Sequence, residues 1–212
     1  RHEIGPDALD AVLPGLAGEL PTGPSVVHGS VGIASPTATT MTMRQSSATA
    51  IVNWQSFSIG TGATVNIQQP GASSALLNRV TGATTSTIAG GLNANGQVYL
   101  VNPNGILITP TGTVRAGGGF VASTLGISDE DFKAGRRNFA GTGNSAAVVN
   151  QGTVEVGRGG YAALLGEIGN RREFERAGPT VLEERTIDQD AVHHAQITRP
   201  RHSEVEPDRP RT

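Results

Sequence analysis

Residues 92–106 read LNANGQVYLVNPNGI, and this stretch contains the features from which the fold is predicted. The aliphatic and aromatic run from Val98 to Val101 stands between two Asn-Gly steps, at residues 95–96 and 104–105. Val, Tyr and Leu favour strands, whereas Asn and Gly favour tight turns. The stretch therefore predicts a short strand with a corner at each end.

The same alternation of short runs and corner residues recurs along the chain. The runs of β-branched and aliphatic residues are 26–27, 50–52, 64–67, 98–101, 106–108, 120–122, 147–149 and 153–156. The two Asn-Gly steps are nine residues apart, and residues 111–114 (TGTV) are echoed by residues 151–154 (QGTV). Repeats this short favour stacked coils over long hairpins.

Composition favours a parallel β-helix over a β-sandwich. The chain has 29 Gly but only one Trp, two Tyr and five Phe. A sandwich core usually contains several large aromatic residues from two facing sheets, whereas a narrow coil is filled by stacked Val, Ile, Leu and Ala. Asn, Ser and Thr also suit stacked rungs, because each side chain can bond to its counterpart above and below.

A short helical insertion is predicted at residues 128–135, SDEDFKAG. Ser128 can cap the first turn, the acids at 129–131 favour the amino end of a helix, and Gly135 can end it. A calcium loop is disfavoured there, because the alternating acids and central glycine of such a loop are missing.

Charge divides the chain into a body and a tail. The only charged side chains between residues 20 and 128 are Arg44, Arg79 and Arg115, whereas residues 171–212 hold half of all the charges and four prolines. We expect a leader or linker at 1–19, a β-helix domain at 20–168 and a charged, proline-containing tail at 169–212 that is disordered or atypical. Arg79 and Arg115 point outward, or they are bonded within the fold or contact a partner.

Several function classes lack support in the sequence. The formal net charge of −2 gives no electrostatic case for nucleic acid, and no apolar run reaches the length of a membrane-spanning helix. The chain has no cysteine, and its histidines lack the spacing of a metal site. We therefore expect no catalytic residues, no metal and no cofactor, and we expect that the protein is not an enzyme.

Residues 102–106, NPNGI, match the preferences of a type I turn, with Asn first, Pro second and Gly fourth. Taken alone, this segment indicates a corner between two strands. Its neighbours add a family resemblance, which is carried by residues 51–60 (IVNWQSFSIG), 77–82 (LNRVTG), 92–106, 121–125 (VASTL) and 159–165 (GGYAALL). In this order and spacing, they closely resemble the two-partner secretion (TPS) domain, or haemagglutination activity domain, of filamentous-haemagglutinin-type exoproteins.

The resemblance runs from about residue 20 to 165 and implies an all-β fold, a right-handed, single-stranded parallel β-helix of the pectin-lyase-like kind. Its signature segments are Asn-Arg-Val and Asn-Pro-Asn-Gly-Ile. As a transporter-recognition or structural signature we carry over Asn78, Arg79, Val80, Asn102, Pro103, Asn104, Gly105 and Ile106. Some relatives carry an additional Asn-Pro-Asn-Leu segment, where this chain has Gln-Gln-Pro-Gly-Ala at 68–72.

In function, the resemblance implies the amino-terminal module of a secreted adhesin of a Gram-negative bacterium. Such a module is recognised by the periplasmic POTRA domains of an outer-membrane TpsB/Omp85-type transporter. It passes through the periplasm and nucleates β-helix folding outside the cell, so the protein is expected to be secreted or at the cell surface, with host cells as further partners.

Three alternatives stay open. The same export domain serves haem-acquisition and contact-dependent toxin exoproteins. A β-helical polysaccharide-degrading enzyme needs clustered acids or bases, which residues 20–128 do not supply. The third alternative is a remnant without a function of its own.

Overall fold

The chain forms short strands separated by tight corners. The structure is a computed structural model that describes residues 18–141, 143 and 146–166. Within these residues there is one helix, α1 (Asp129–Lys133). The strands are β1 (Ser25–His28), β2 (Val31–Thr37), β3 (Thr40–Gln45), β4 (Thr49–Trp54), β5 (Thr64–Gln68), β6 (Ala75–Val80), β7 (Ser86–Ile88), β8 (Gly91–Ala94), β9 (Gln97–Val101), β10 (Ile106–Ile108), β11 (Thr113–Ala116), β12 (Gly119–Ser123), β13 (Gly126–Ile127), β14 (Phe139–Ala140), β15 (Val148–Asn150), β16 (Thr153–Val156) and β17 (Ala162–Leu165).

Three sheets form the sides of a coil. Sheet A consists of β1, β4, β6, β9, β12 and β17, sheet B of β2, β3, β5, β8, β11 and β16, and sheet C of β7, β10 and β15, each in spatial order. The chain visits sheets B, A and C in turn. Coil 1 contains β3 and β4, coil 2 β5 to β7, coil 3 β8 to β10, coil 4 β11, β12 and β15, and coil 5 β16 and β17.

Strands of successive coils pair in parallel, as in β6 with β9 and β9 with β12. A parallel bridge between Ile59 and Ile88 completes the third side of coil 1. Two antiparallel strands close the amino-terminal end, since β1 pairs with β4 and β2 with β3. Pairing of this kind covers strand edges that would otherwise be open to another chain.

Side chains inside the coil form one continuous hydrophobic cluster, which we call the inner cluster. Parallel register stacks like residues in rows, such as that of Val65, Leu92, Val114 and Val154 across sheet B. The interior also holds aromatic side chains: the rings of Trp54 and Phe57 meet edge to face, with centroids 5.3 Å apart. The filling is therefore less purely aliphatic than composition predicted.

Only one of the two sequence repeats is a coil repeat. Thr113 and Val114 pair with Thr153 and Val154, so TGTV and QGTV are stacked in register. The two Asn-Gly steps, by contrast, lie at successive corners of coil 3, before β9 and before β10. Their spacing therefore measures one side of a coil and not the distance in sequence from one coil to the next.

Between β12 and β15 the chain leaves coil 4 and crosses the outer face of sheet A. We call residues 124–141, which contain β13, α1 and β14, the excursion. Ser128 caps α1 by accepting a hydrogen bond at its Oγ from the Asp131 amide at 3.1 Å. Gly135 follows the helix with a φ of +77°. The predicted helical insertion is confirmed with the predicted cap.

The central strands of sheet A, β4, β6, β9 and β12, are mostly buried on both faces, because the excursion covers the outer one. The outer-face residues of sheet A and the apolar residues of the excursion form a second cluster, the outer cluster. It contains Ile51, Ala75, Leu77, Tyr99, Val101, Val121, Ile127, Phe132 and Phe139. The ring of Tyr99 meets that of Phe132 edge to face at 5.1 Å. A strand that is buried on both faces loses the polar alternation of a one-sided sheet.

The described residues confirm the predicted all-β parallel β-helix with a short helix. The leader expected at 1–19 lies almost wholly outside them, and so does the polar tail expected at 169–212. The domain limits at 20 and 168 stay predictions.

Candidate functional site

The two signature segments lie side by side on sheet A. Asn78, Arg79 and Val80 end β6, and residues 102–105 follow β9, which is the strand paired with β6. Residues far apart in sequence are thus brought to one edge of adjacent coils. The structure therefore joins the residues that the resemblance had marked separately.

The loop that follows Asn-Arg-Val is bonded to the Asn-Pro-Asn-Gly corner of the next coil. Asn102 Nδ2 donates to the Thr84 carbonyl at 2.9 Å, and Asn104 Nδ2 donates to the Gly82 carbonyl at 2.8 Å. In the reverse direction, Thr85 Oγ1 donates to the Asn104 carbonyl at 2.9 Å. These bonds make the two signatures one structural unit.

The corner itself is the predicted tight turn. The Gly105 amide donates to the Asn102 carbonyl at 3.1 Å, and the Asn104 amide donates to Asn102 Oδ1 at 2.9 Å. Gly105 has a φ of +106°, a conformation that β-branched residues avoid. Ile106 then enters the inner cluster, while Pro103 and Asn104 remain partly exposed.

Asn102 is fully buried and its side-chain amide is fully used. Besides Thr84, its Nδ2 donates to Ser86 Oγ at 2.9 Å, and its Oδ1 accepts from the Asn104 backbone. A buried amide with both donors bonded stabilises the corner, and removal of the amide leaves its partners unpaired.

Asn78 and Val80 point into the coil, where both belong to the buried interior. Asn78 Oδ1 accepts a hydrogen bond from Trp54 Nε1 at 3.0 Å. Trp54 and Asn78 lie in neighbouring strands of sheet A, so the bond links coil 1 to coil 2. Asn78 thereby satisfies the one polar atom of the largest interior side chain.

Arg79, between these two residues, points to the opposite face of sheet A. Its guanidinium forms an ion pair with Asp129 at 2.6 Å and donates to the Ile127 carbonyl at 2.9 Å and to Asn53 Oδ1 at 3.4 Å. The side chain therefore points outward and is bonded as well. Arg115 differs: it pairs with Glu155 at 2.8 Å on the open face of sheet B, where both side chains are more than half exposed.

A third corner was not recognised from the sequence. Gln69, in the segment that replaces Asn-Pro-Asn-Leu, is 7% exposed, and its Oε1 accepts the Gly96 amide at 3.0 Å. Its Nε2 donates to Gln45 Oε1 at 3.2 Å, and its backbone amide donates to Asn95 Oδ1 at 2.7 Å. The sequence signal available for this contact was the Gln-Gln step at 68–69 together with the Asn-Gly step at 95–96.

A polar cluster between the excursion and sheet A was also missed. Arg137 Nε donates to the Tyr99 hydroxyl at 2.8 Å, and its guanidinium stacks 4.8 Å from the Tyr99 ring centroid. The Tyr161 hydroxyl bonds to that of Tyr99 and to Gln97 Oε1. Burial raises the pKa of Tyr161 far above its ordinary value, and the neighbouring Tyr99 adds to this, so the phenol stays neutral.

Two classes of site are not found in the described part of the chain. It contains no group of three or more His, Asp or Glu side chains placed to hold a metal ion. None of its helices has the length and hydropathy of a membrane span.

Comparison with known proteins identifies relatives. The family model described as the TPS secretion domain matches residues 17–187. The crystal structure of the HMW1 secretion domain from Haemophilus influenzae superimposes with a TM-score of 0.65 at 38% sequence identity, and the match covers 69% of this chain and 39% of that one.

Two heme/hemopexin-binding proteins of Haemophilus influenzae are also similar. One is 40% identical over 128 residues, which is 60% of this chain and 13% of that protein. The other is 41% identical over 100 residues, which is 47% of this chain and 11% of that protein. The chain thus matches only about an eighth of the length of these much larger relatives.

Proposed function

The chain belongs to the TPS secretion domain family, and we propose that it is the export-recognition module of a larger exoprotein. The observation that carries the proposal is the family match over residues 17–187, which include every described coil. The partner we propose is an outer-membrane TpsB/Omp85-type transporter whose periplasmic POTRA domains bind the module.

Burial limits what such a partner is able to contact. Asn78 and Asn102 are fully buried in the folded coil, so their side chains are accessible to a transporter only before folding. Arg79, Pro103 and Asn104 keep partly exposed surface after folding. We therefore propose that the transporter binds the signatures in the unfolded chain, and that folding outside the cell then hides them.

We further propose that the domain acts by recognition and has no enzymatic activity. The ion pairs of the described body support this, because Arg79 is neutralised by Asp129 and Arg115 by Glu155. Acid–base catalysis requires titratable groups that face a substrate, and these charges face one another. The proposed location is transiently the periplasm, and then the medium or the cell surface.

For the parent exoprotein we propose a filamentous-haemagglutinin-like adhesin, in which this module begins a longer β-helix that contacts host cells. A second candidate, haem acquisition, is favoured by the names of the two heme/hemopexin-binding relatives. In both cases we propose that the binding activity resides in sequence outside this chain, which matches 13% and 11% of the length of those relatives.

The test is transporter-dependent secretion. The 212-residue chain, with a signal peptide added, is expressed with and without a TpsB-type transporter from the same organism, and the chain in the medium is quantified. We expect secretion only with the transporter. Equal amounts in the medium without the transporter would contradict the proposal.

A matched pair of arginine variants separates the signature from the rest of the body. Arg79→Met and Arg115→Met each remove one ion-paired arginine from a strand, but only Arg79 lies in a signature. We expect export to fall several-fold for Arg79→Met and to stay unchanged for Arg115→Met. Equal export of the two variants would remove Arg79 from the recognition site.

A further inference from the structure

We propose that the excursion makes this domain fold as one cooperative unit, so that no stable partial coil forms before residues up to Leu165 are available. The biological meaning of this behaviour rests on the proposed export function, because an exported chain must stay unfolded until it has crossed the membrane. The physical claim rests on contacts of the described residues alone.

Without the excursion, the coils would interact only with their neighbours. In sheet A, β6 pairs with β4 and β9, and β12 pairs with β9 and β17. Stacked repeats of this kind are stabilised by nearest-neighbour interfaces, and partly folded stacks are accessible to them. Sheet pairing alone therefore predicts folding coil by coil.

The outer cluster breaks this one-dimensional pattern. Its sheet A members include Ile51 from coil 1, Leu77 from coil 2, Tyr99 from coil 3 and Val121 from coil 4. Phe132 of the excursion is fully buried in the same cluster, and helix α1 contacts β4 of coil 1. A segment inserted in coil 4 thus covers side chains from four successive coils.

A first polar link fixes the excursion to the early coils. Arg79 in coil 2 pairs with Asp129 and with the Ile127 carbonyl, and its third partner is Asn53 in coil 1. The side chains of Arg79 and Asp129 are 22% and 35% exposed, so water screens this pair less than the open pair on sheet B.

A second polar link fixes the excursion to the later coils. Arg137 donates to the Tyr99 hydroxyl in coil 3 and to the Phe132 carbonyl at 3.2 Å. Tyr161, next to β17 in coil 5, also bonds to the Tyr99 hydroxyl, and it donates to Gln97 Oε1 at 3.0 Å. The two links bond the excursion directly to coils 2 and 3, and through Arg79 and Tyr99 they reach coils 1 and 5.

These contacts between the excursion and four coils affect the stability of partly folded stacks. A chain that has formed only coils 1 to 3 presents the outer faces of Ile51, Leu77 and Tyr99 to water, because the excursion that covers them has not yet docked. Exposed apolar surface of this kind raises the free energy of the partial stack. Until coil 5 has formed, the outer cluster also lacks Ala163 and Leu165, which pack against it. The native state therefore gains stability over every partial stack, and this favours all-or-none folding.

The first experiment uses the purified 212-residue chain without a transporter. Native-state hydrogen exchange is followed in β4 of coil 1 and β12 of coil 4 at increasing sub-denaturing urea, and Trp54, the single tryptophan, reports coil 1 by fluorescence. We expect both strands to exchange through one opening with the same denaturant dependence. An opening that exposes β12 and leaves β4 protected overturns the proposal.

The second experiment removes both links in the double variant Arg79→Met with Arg137→Met. We expect its Trp54 fluorescence transition and its far-UV circular dichroism transition to separate, whereas they coincide in the unmodified chain. The control is Val114→Ala, which weakens the inner cluster of coil 4 and touches no part of the excursion. It should lower the midpoint and leave the transitions coincident.

Coincident transitions in the double variant, with only a lowered midpoint, would contradict the proposal. If the double variant does not fold, the exchange measurement on the unmodified chain decides. Neither measurement involves a transporter, so failure of the export test and failure of this proposal are distinguishable.

Discussion

The inner and outer clusters flank the same strands of sheet A, yet they are built in different ways. The inner cluster is made by stacking, since each coil contributes side chains at equivalent positions of its strands. The outer cluster is made by one inserted segment that lies across four coils. The first grows with each added coil, whereas the second forms only once.

A solenoid is therefore able to be stabilised in two ways. Stacked interior rows make every coil depend on the coils beside it. A segment that crosses the stack makes distant coils depend on one another. The following substitutions test whether the two clusters differ in energy as they differ in construction.

The largest effects are expected from two fully buried phenylalanines, one in each cluster. Phe120→Ala opens a cavity between stacked strands that are fixed on both sides, so we expect a loss of about 4–5 kcal/mol in the free energy of unfolding. Phe132 belongs to α1, a five-residue helix that is able to settle inward, so we expect a loss of about 3 kcal/mol for Phe132→Ala. Urea unfolding measures both, and a larger loss for Phe132→Ala would reverse the ranking.

A smaller effect is expected at the signature corner. Asn102→Ala leaves the Thr84 carbonyl, the Ser86 hydroxyl and the Asn104 amide without their buried partner, which should cost about 2–3 kcal/mol. Asn104→Ala loses bonds at a partly exposed position where water is able to replace them, and should cost less than about 1 kcal/mol. Thermal melts of both variants check the difference, and equal losses would refute it.

The next comparison is between the contributions of Arg79 and Arg115 to the free energy of unfolding. Arg79→Met breaks a partly buried link with three partners, and we expect a loss of about 1–2 kcal/mol. Arg115→Met breaks an exposed pair and should change stability by less than about 0.5 kcal/mol. Urea unfolding of both variants measures the two losses. Similar losses in the free energy of unfolding would mean that the link from Arg79 to the excursion adds no more stability than an exposed ion pair.

The smallest effect is expected at Asp131, an acidic residue in the first turn of α1. A hydrogen bond from Arg136 lowers the pKa of Asp131 below its ordinary value. A lowered folded-state pKa contributes stability above the unfolded-state pKa, and this contribution is lost as the pH falls through the folded-state value. We therefore expect Asp131→Asn to lower the melting temperature slightly at neutral pH and to match the unmodified chain in strong acid. A difference that persists in strong acid would contradict this cause.

Much of the local structure could be predicted from particular residues of the sequence. The Asn-Pro-Asn-Gly corner, the Ser128 cap and the short strands between glycines depend on contacts within a few residues, which sequence patterns record directly. The echo of TGTV in QGTV also predicted a true stacking of coils, because equivalent positions in a solenoid meet the same neighbours. These features gave the fold class.

The family resemblance of the sequence also identified the signature residues, but not the residues to which they are bonded in the fold. Asn78 and Arg79 are neighbours in sequence, yet one bonds to Trp54 inside the coil and the other to Asp129 on the opposite face. Successive residues of a strand point to opposite faces, but which face is the interior depends on contacts far away in sequence.

The short strands and their tight, capped corners are therefore predictable from the sequence, because they depend on backbone conformation and on neighbouring side chains. The folded structure adds three features: the excursion covers sheet A, Gln69 closes the corner at Gly96, and Arg137 and Tyr161 both bond to the Tyr99 hydroxyl. These contacts join residues that lie far apart in the chain. No local preference encodes them, because they require coils that are distant in sequence to be in register.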